Sequence, residues 1–266
     1  MIAAIIPARN EAENLPKIYK CISTLPFDKI ITVVNGCTDN TLDVIAKQKP
    51  LNHFMIYFNK PLGVDVPRAV GAWKAYAMGC KKFCFIDGDM IGDIRPALLN
   101  IITALHSGTD LALTNCYPII SRRSPLTNSV LQFRGKLNRL LGYYNSLGLA
   151  CPSHGPHGIS ARLLRLTPAS DLAIPPTMLV HAAKHNLKVD VASAIAHQEL
   201  GSPARDASHA VKMGHTIIGD CLEAISLVKG EKRSRIFQDF KFDGYNSERR
   251  FDLLKEYSEV MISQTW

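Results

Sequence analysis

Between Met1 and Met90 the chain repeats one pattern four times: a short apolar run stops at a cluster of polar and turn-forming residues. The runs are Met1 to Pro7, Lys29 to Val34, Phe54 to Phe58 and Lys82 to Asp87. A stretch with helical spacing follows each of the first three. Leu15, Ile18, Cys21, Ile22 and Leu25 form a stripe after the first, Leu42 to Gln48 opens behind Thr and Asp residues after the second, and Ala69 to about Cys80 follows the third. Strands alternating with helices on short connections build a mostly parallel sheet, because each helix carries the chain back across a sheet face. Ligands of such sheets bind beyond the carboxyl ends of the strands, the edge on which every polar cluster here falls.

The fourth cluster is Phe85-Ile86-Asp87-Gly88-Asp89-Met90. Two carboxylates one residue apart repel each other, and a hard divalent cation with a preference for oxygen stabilises such a pair and can also hold a diphosphate. An ordinary Asp-Gly turn with a second solvated Asp is the competing reading of those three residues taken alone.

A chain of 266 residues with 47% hydrophobic content can bury one large core. Its formal charge of +8, from 31 Lys and Arg against 23 Asp and Glu, suits an anionic small substrate, a phospholipid surface or a nucleic acid equally. No apolar run reaches bilayer-spanning length, and the opening residues lack a basic-then-apolar leader pattern, so the expected location is cytoplasmic. Seven cysteines without a Cys-x-x-Cys pair read as small buried hydrophobes.

Beyond Met90 the pattern predicts a helix over Arg95 to His106, a strand over Leu111 to Tyr117, and a polar, basic stretch with a helix from Ser129 to Leu141. Cys151 to Ser160, dense in Pro, Gly, His and Ser, reads as a loop. Helices over Leu163 to Leu166 and Met178 to His185, a strand over Lys188 to Ile195 and a long helix over Asp206 to Leu227 follow. From Gly230 onward Lys232, Arg233, Arg235, Arg249 and Arg250 interleave with Phe237, Phe240, Phe242, Tyr245 and Phe251, a pattern for a wrapped lobe or an interaction surface.

Four motifs, in order and each at a strand end, carry a resemblance: Ile5-Ile6-Pro7-Ala8-Arg9-Asn10-Glu11, Asn35-Gly36-Cys37-Thr38-Asp39-Asn40-Thr41, Asn59 to Arg68 with Gly71, and Asp87-Gly88-Asp89. Over most of Met1 to about Ile218 the chain resembles the family 2 type glycosyltransferases, which have the GT-A nucleotide-sugar-binding fold. The resemblance implies an α/β, Rossmann-type, mostly parallel sheet flanked by helices, with a C-terminal acceptor-side helical lobe. Residues 1–120 would then be the donor-binding half, 121–228 the acceptor-side half of the same domain, and 229–266 a helical tail.

The activity implied is metal-dependent transfer of a hexose from a nucleoside-diphosphate sugar to a small-molecule or lipid-linked acceptor, with Mn2+ or Mg2+. By position, Pro7, Ala8, Arg9, Glu11, Asn35, Asp39 and Gly63 would line the nucleotide pocket, and Arg68 would reach the nucleotide or diphosphate. Asp87, beside Gly88, would touch ribose or sugar. Asp87 and Asp89 would face the metal, with Asp89 its principal carboxylate. His197 would complete the metal shell, and Arg205 in the Gly201 to Arg205 loop would close over the diphosphate.

Two positions depart from the family pattern. Val34 stands where members often carry an Asp that reads the uracil imide, so guanosine or another nucleotide stays open, as does base reading by Asn35 or Asp39. Inverting members place a general base at the start of the helix before the last strand, where this chain has Ile174-Pro175-Pro176-Thr177 and no carboxylate. Either Asp171 or a His of the Ser153 to Gly158 loop, His154 or His157, substitutes, or the reaction retains configuration and needs no such base.

Three other classes compete. A nucleotidyltransferase would open with a Gly-rich loop, which Pro7 to Asn14 lacks. A non-catalytic nucleotide-sugar-binding protein would have no need of paired acids, and nucleic-acid binding would rest on the tail alone. The expected partners are therefore the nucleotide-sugar and its acceptor, with no nucleic acid and peripheral membrane contact through the basic aromatic tail; the oligomeric state is not legible.

Overall fold

The structure is a computed structural model that describes residues 1–48, 50–119, 123–203 and 206–263. Its first half runs β1 (Ile2–Ala8), α1 (Leu15–Ile22), β2 (Lys29–Asn35), α2 (Thr41–Gln48), β3 (His53–Phe58), α3 (Val66–Ala77), β4 (Lys82–Phe85), α4 (Arg95–His106) and β5 (Leu111–Asn115). Then come α5 (Pro125–Leu140), α6 (Tyr144–Leu147), β6 (His157–Ser160), α7 (Ala161–Leu166), α8 (Ala169–Leu172), α9 (Thr177–Lys184), β7 (Val189–Ala194) and α10 (Ala207–Lys229). The tail holds β8 (Ile236–Phe237), β9 (Phe240–Lys241) and α11 (Phe251–Ser263).

Strands β1 and β2 are near-continuous apolar runs because helices cover both of their faces. Ala3 and Ile5 pack with Val66, Val70 and Trp73 of α3 on one face, while Ala4 and Ile6 pack with Leu15 and Ile18 of α1 on the other. The seven-stranded sheet has the order β3-β2-β1-β4-β6-β5-β7. Neighbours pair in parallel except β6, which runs against both β4 and β5.

Two expectations change here. Residues 157–160, read above as the end of a loop, form β6. Its composition holds one strand former, Ile159, so pairing on both edges supplies the order that local propensity does not. The tail is also more than a helix: the β8–β9 hairpin precedes α11, which packs back on α3 and α8 of the main domain. No helix among the described residues is long and apolar enough to cross a membrane.

Candidate active site

Because β1, β2 and β4 are parallel neighbours, the residues after Ala8, Asn35 and Phe85 gather at one edge. The chain builds β2 and β3 on one side of β1 and returns to β4 on the other, and a crevice opens where the two directions part. A cleft of about 630 Å³ occupies this place. It is lined by Pro7 to Glu11, Asn35, Gly63, Asp65, Arg68, Asp87 to Met90, Ser153 to Gly155 and His197, with α10 and the tail as the far wall.

Arg68 sits in the first turn of α3, with its guanidinium between two carboxylates. Nη1 pairs with Asp65, while Nη2 and Nε (3.1 Å) both donate to Oδ1 of Asp87. Burial alone would lower the Arg68 pKa, but Asp87 and Asp65 more than offset it and raise it, so the side chain is a fixed cation. Asp87 thus has one oxygen, Oδ1, committed to Arg68. Asn35 lines the cleft, but its carboxamide fastens the loop after β3: Oδ1 accepts from Leu62 N at 2.6 Å and Nδ2 donates to Gly63 O at 3.2 Å. Asp39 lies outside the cleft lining. It accepts from Thr41 N (3.0 Å) and Ala12 N (3.2 Å), and, against the opposing effect of burial, its bonds to Thr41 keep its pKa low. A carboxylate spent on joining two loops is not placed to read a base. Glu11 is held in line through its backbone amide, which donates to Thr41 Oγ1 at 3.0 Å.

At the Asp89 side of the cleft, Asp89 accepts from Ser202 Oγ at 3.4 Å, and Gly92 N donates to Leu200 O at 2.9 Å, so the two loops run alongside each other. This pairing brings His197 to the same cleft as Asp89. The Nδ1 of His197 lies 3.0 Å from Nε2 of His154, and Tyr117 stacks on His197 at 6.1 Å between ring centroids. Burial, with the nearby Arg134 cation, lowers the pKa of both imidazoles and favours their neutral forms. A neutral His197 that donates Nδ1–H to His154 Nε2 would present its own Nε2 as a ligating nitrogen. Among the described residues no three His, Cys, Asp or Glu side chains form a cage for a cation. Asp89 and His197 both line the cleft and have the oxygen and nitrogen donors that would hold a divalent ion there, given further ligands from outside the protein.

The loop pairing is a point of sensitivity, since a Cβ on Gly92 would overlap the carbonyl oxygen of Glu199. Gly92→Ala is therefore expected to push the His197 loop away from Asp89. Manganese affinity, followed by the ion's paramagnetic resonance signal in the presence of nucleotide, should weaken by about tenfold; unchanged affinity would show that the loops need not touch.

Two further predicted site residues lie away from the cleft. Asp171 does not line the cleft: it is buried, accepting from His181 Nε2 and Arg233 Nη2 at 2.7 Å each. Burial opposes its charge, yet these two partners keep its pKa below the usual carboxylate range, which suits an internal ion pair rather than a base. His157 is buried on β6 beside Phe85, with Nδ1 3.3 Å from Gly155 O, and it too does not line the cleft. Arg205 lies outside the described residues. The far wall was not foreseen. His209, Met213, Thr216, Ile217 and Asp220 of α10 face the cleft together with Tyr245 and Glu248 of the tail, and His209 Nδ1 lies 2.9 Å from Tyr245 Oη. Their spacing of three and four along the amphipathic α10 was the one signal for them.

His157 gives a pH prediction. Burial first, and the Arg68 charge second, push its pKa from 6.5 down to about 4. Between those values the unfolded chain binds a proton that the folded chain refuses, so stability is retained above pH 6.5 and lost as pH falls toward 4. The contribution is roughly 3 kcal/mol over that window. Urea melts of His157→Phe should show a flatter loss between pH 6.5 and 4 than the parent; parallel curves would rule the imidazole out as the source.

No family model and no curated protein matches this chain. Solved structures do. Glucosyl-3-phosphoglycerate synthase from Mycobacterium tuberculosis in complex with Mn2+, uridine diphosphate and glucosyl-3-phosphoglycerate superposes with a TM-score of 0.62 at 17% identity, covering 89% of this chain and 82% of that one. The same enzyme with Mn2+, UDP-glucose and phosphoglyceric acid gives 0.60 at 16% identity, and with Mg2+ and uridine diphosphate 0.61 at 18%, both with the same coverage. The likeness at these identities is one of fold: the chain has the mostly parallel, helix-flanked GT-A sheet that its motifs led us to expect.

Proposed function

We propose that this GT-A chain is a glycosyltransferase that moves a sugar from a nucleoside-diphosphate donor to a small-molecule acceptor with the help of Mn2+ or Mg2+. The observation that carries this is the meeting of Asp89, His197 and Arg68 in one cleft at the carboxyl ends of β1 and β4. The synthase with this fold binds either metal together with uridine diphosphate, which supports the assignment.

Asp89 and His197 would hold the metal, which supplies Lewis-acid neutralisation of the diphosphate as the glycosidic bond breaks. Arg68, kept charged by Asp65 and Asp87, contributes a fixed positive group beside the same phosphates. Pro7 to Glu11 and the Gly63 loop form the walls of the nucleotide pocket. Val34 is fully buried and Asn35 is engaged with the loop, so base reading falls to other groups and a uridine donor is not presumed.

The acceptor would meet the far wall of α10 and the tail, where a small molecule fits the cleft volume. A lipid-linked acceptor or a membrane contact through the tail has less support, because Arg233, Arg235 and Arg249 point inward to Asp171, Glu223 and Asp220. Neither Asp171 nor His157 is placed to serve as general base, and His154, which does face the cleft, is bonded to His197.

The test is a thermal-shift panel of uridine, guanosine, adenosine and cytidine diphosphates with and without Mn2+. One nucleotide at a hundred times its Kd should stabilise the protein by about 2.7 kcal/mol, in a manganese-dependent way. No shift with any of the four would remove the donor assignment.

A further inference from the structure

The geometry points to Arg249 as a positioning residue of the donor site, through which the C-terminal segment sets the direction of Arg68. This rests on the donor-site reading given above.

The Arg249 side chain is fully buried, 184 residues from its partner on the donor loop. Its Nη1 and Nη2 form a two-pronged bond to Oδ1 and Oδ2 of Asp220 at 2.7 and 2.8 Å, which anchors it on α10. Nη2 also reaches Oδ2 of Asp65 at 2.8 Å, and Nε reaches Val64 O at 3.3 Å. The other oxygen of Asp65 takes Arg68 Nη1. One carboxylate is thus shared by two guanidinium groups, one from the tail and one from the cleft.

Backbone contacts hold the same junction. Arg250 N donates to Leu62 O at 2.9 Å, and a Cβ on Gly63 would stand 2.6 Å from Glu248 O and 2.7 Å from Arg249 Cα. Asp65 itself has φ +62°, a left-handed conformation that Asp and Asn adopt more readily than other side-chain-bearing residues. The loop conformation sends the Asp65 carboxylate toward Arg249, and the Arg249 fork fixes it in two directions.

The consequence lies with Arg68. With Asp87 as its sole anchor, the guanidinium would follow that one carboxylate; Asp65 holds the opposite end and spans Arg68 across the cleft floor. A planar fork can satisfy Asp220 and Asp65 together, whereas a lysine ammonium offers one point of charge. The tail therefore belongs to the donor site through an ion pair, not through contact with the donor.

The experiment compares the parent with Asp65→Asn, Arg249→Lys and Arg235→Lys. The probe is the nucleoside diphosphate, among the four named above, that binds the parent with Mn2+; Kd is measured by calorimetry and Tm without ligand. Asn tolerates the left-handed conformation, so Asp65→Asn removes the charge without straining the loop. Arg235 ties the tail to Asp220, Glu223 and Thr216 O of α10 and bonds Phe242 O within the tail, but does not touch Asp65, which makes Arg235→Lys the control for tail docking.

We expect Asp65→Asn and Arg249→Lys each to weaken nucleotide binding by about tenfold. Arg235→Lys should lower Tm and leave Kd within about twofold. Parental affinity in Asp65→Asn overturns the proposal, and so does a loss in Arg235→Lys as large as that in Asp65→Asn, since the effect would then be docking alone. A parent that binds none of the nucleotides is a different result, which takes down the donor assignment and this proposal with it.

Discussion

Asp89→Asn should lower metal-dependent sugar transfer by about 100- to 1,000-fold, the scale of losing one group that neutralises charge at a breaking bond. The substitution keeps the size and the hydrogen-bonding reach of the side chain and removes the anion, so its effect separates charge from packing. Asp89 stands at the rim of the cleft beside Ser202, not in the core, and Tm without ligand should stay within about 1 °C of the parent. Nucleotide binding without metal should change little, while the added stabilisation from Mn2+ disappears. Parental manganese dependence in Asp89→Asn would mean that another residue holds the ion.

The largest expected effect on stability is at Asp220, which is 1% exposed and receives Arg235 Nη1 at 2.8 Å in addition to both prongs of Arg249. Asp220→Ala leaves two buried guanidinium groups short of their shared anion. Removing one partner of a buried ion pair costs about 3–5 kcal/mol, a fall in Tm on the order of 10 °C for a chain of this size. The tail should loosen first, because Arg249 and Arg235 are its buried ion-pair ties to α10. Hydrogen exchange should then rise across β8, β9 and α11 before it rises in β1. A uniform rise, with the tail no faster than the central strands, would count against this order.

The parts of the site that the sequence revealed are those where local chemistry and position coincide. Apolar runs ending in polar clusters located β1 to β4 and their loops, and Arg68, Asp87, Asp89 and His197 do share one cleft. Side-chain purpose was harder to read, because a loop carboxylate looks the same whether it faces a ligand or its own backbone. Asp39 turned out to cap and join two loops, and Asp171 to be bonded to residues ten and sixty-two positions further on. The basic tail could be read two ways, as a wrapped lobe or an interaction surface, because the acids that pair with Arg235 and Arg249 sit on α10 and on a loop far back in the chain. Strand β6 was hidden by its His and Gly, since its order comes from neighbours on both sides.

That reversed strand bears on how the molecule melts. β6 comes from the second half of the chain, yet it is wedged between β4 and β5, which come from the first. A nick near residue 120 would therefore leave β4 and β5 without the strand between them in one fragment, and β6 and β7 without any of their pairing partners in the other. Neither should hold its shape alone, and heat should take both through a single transition.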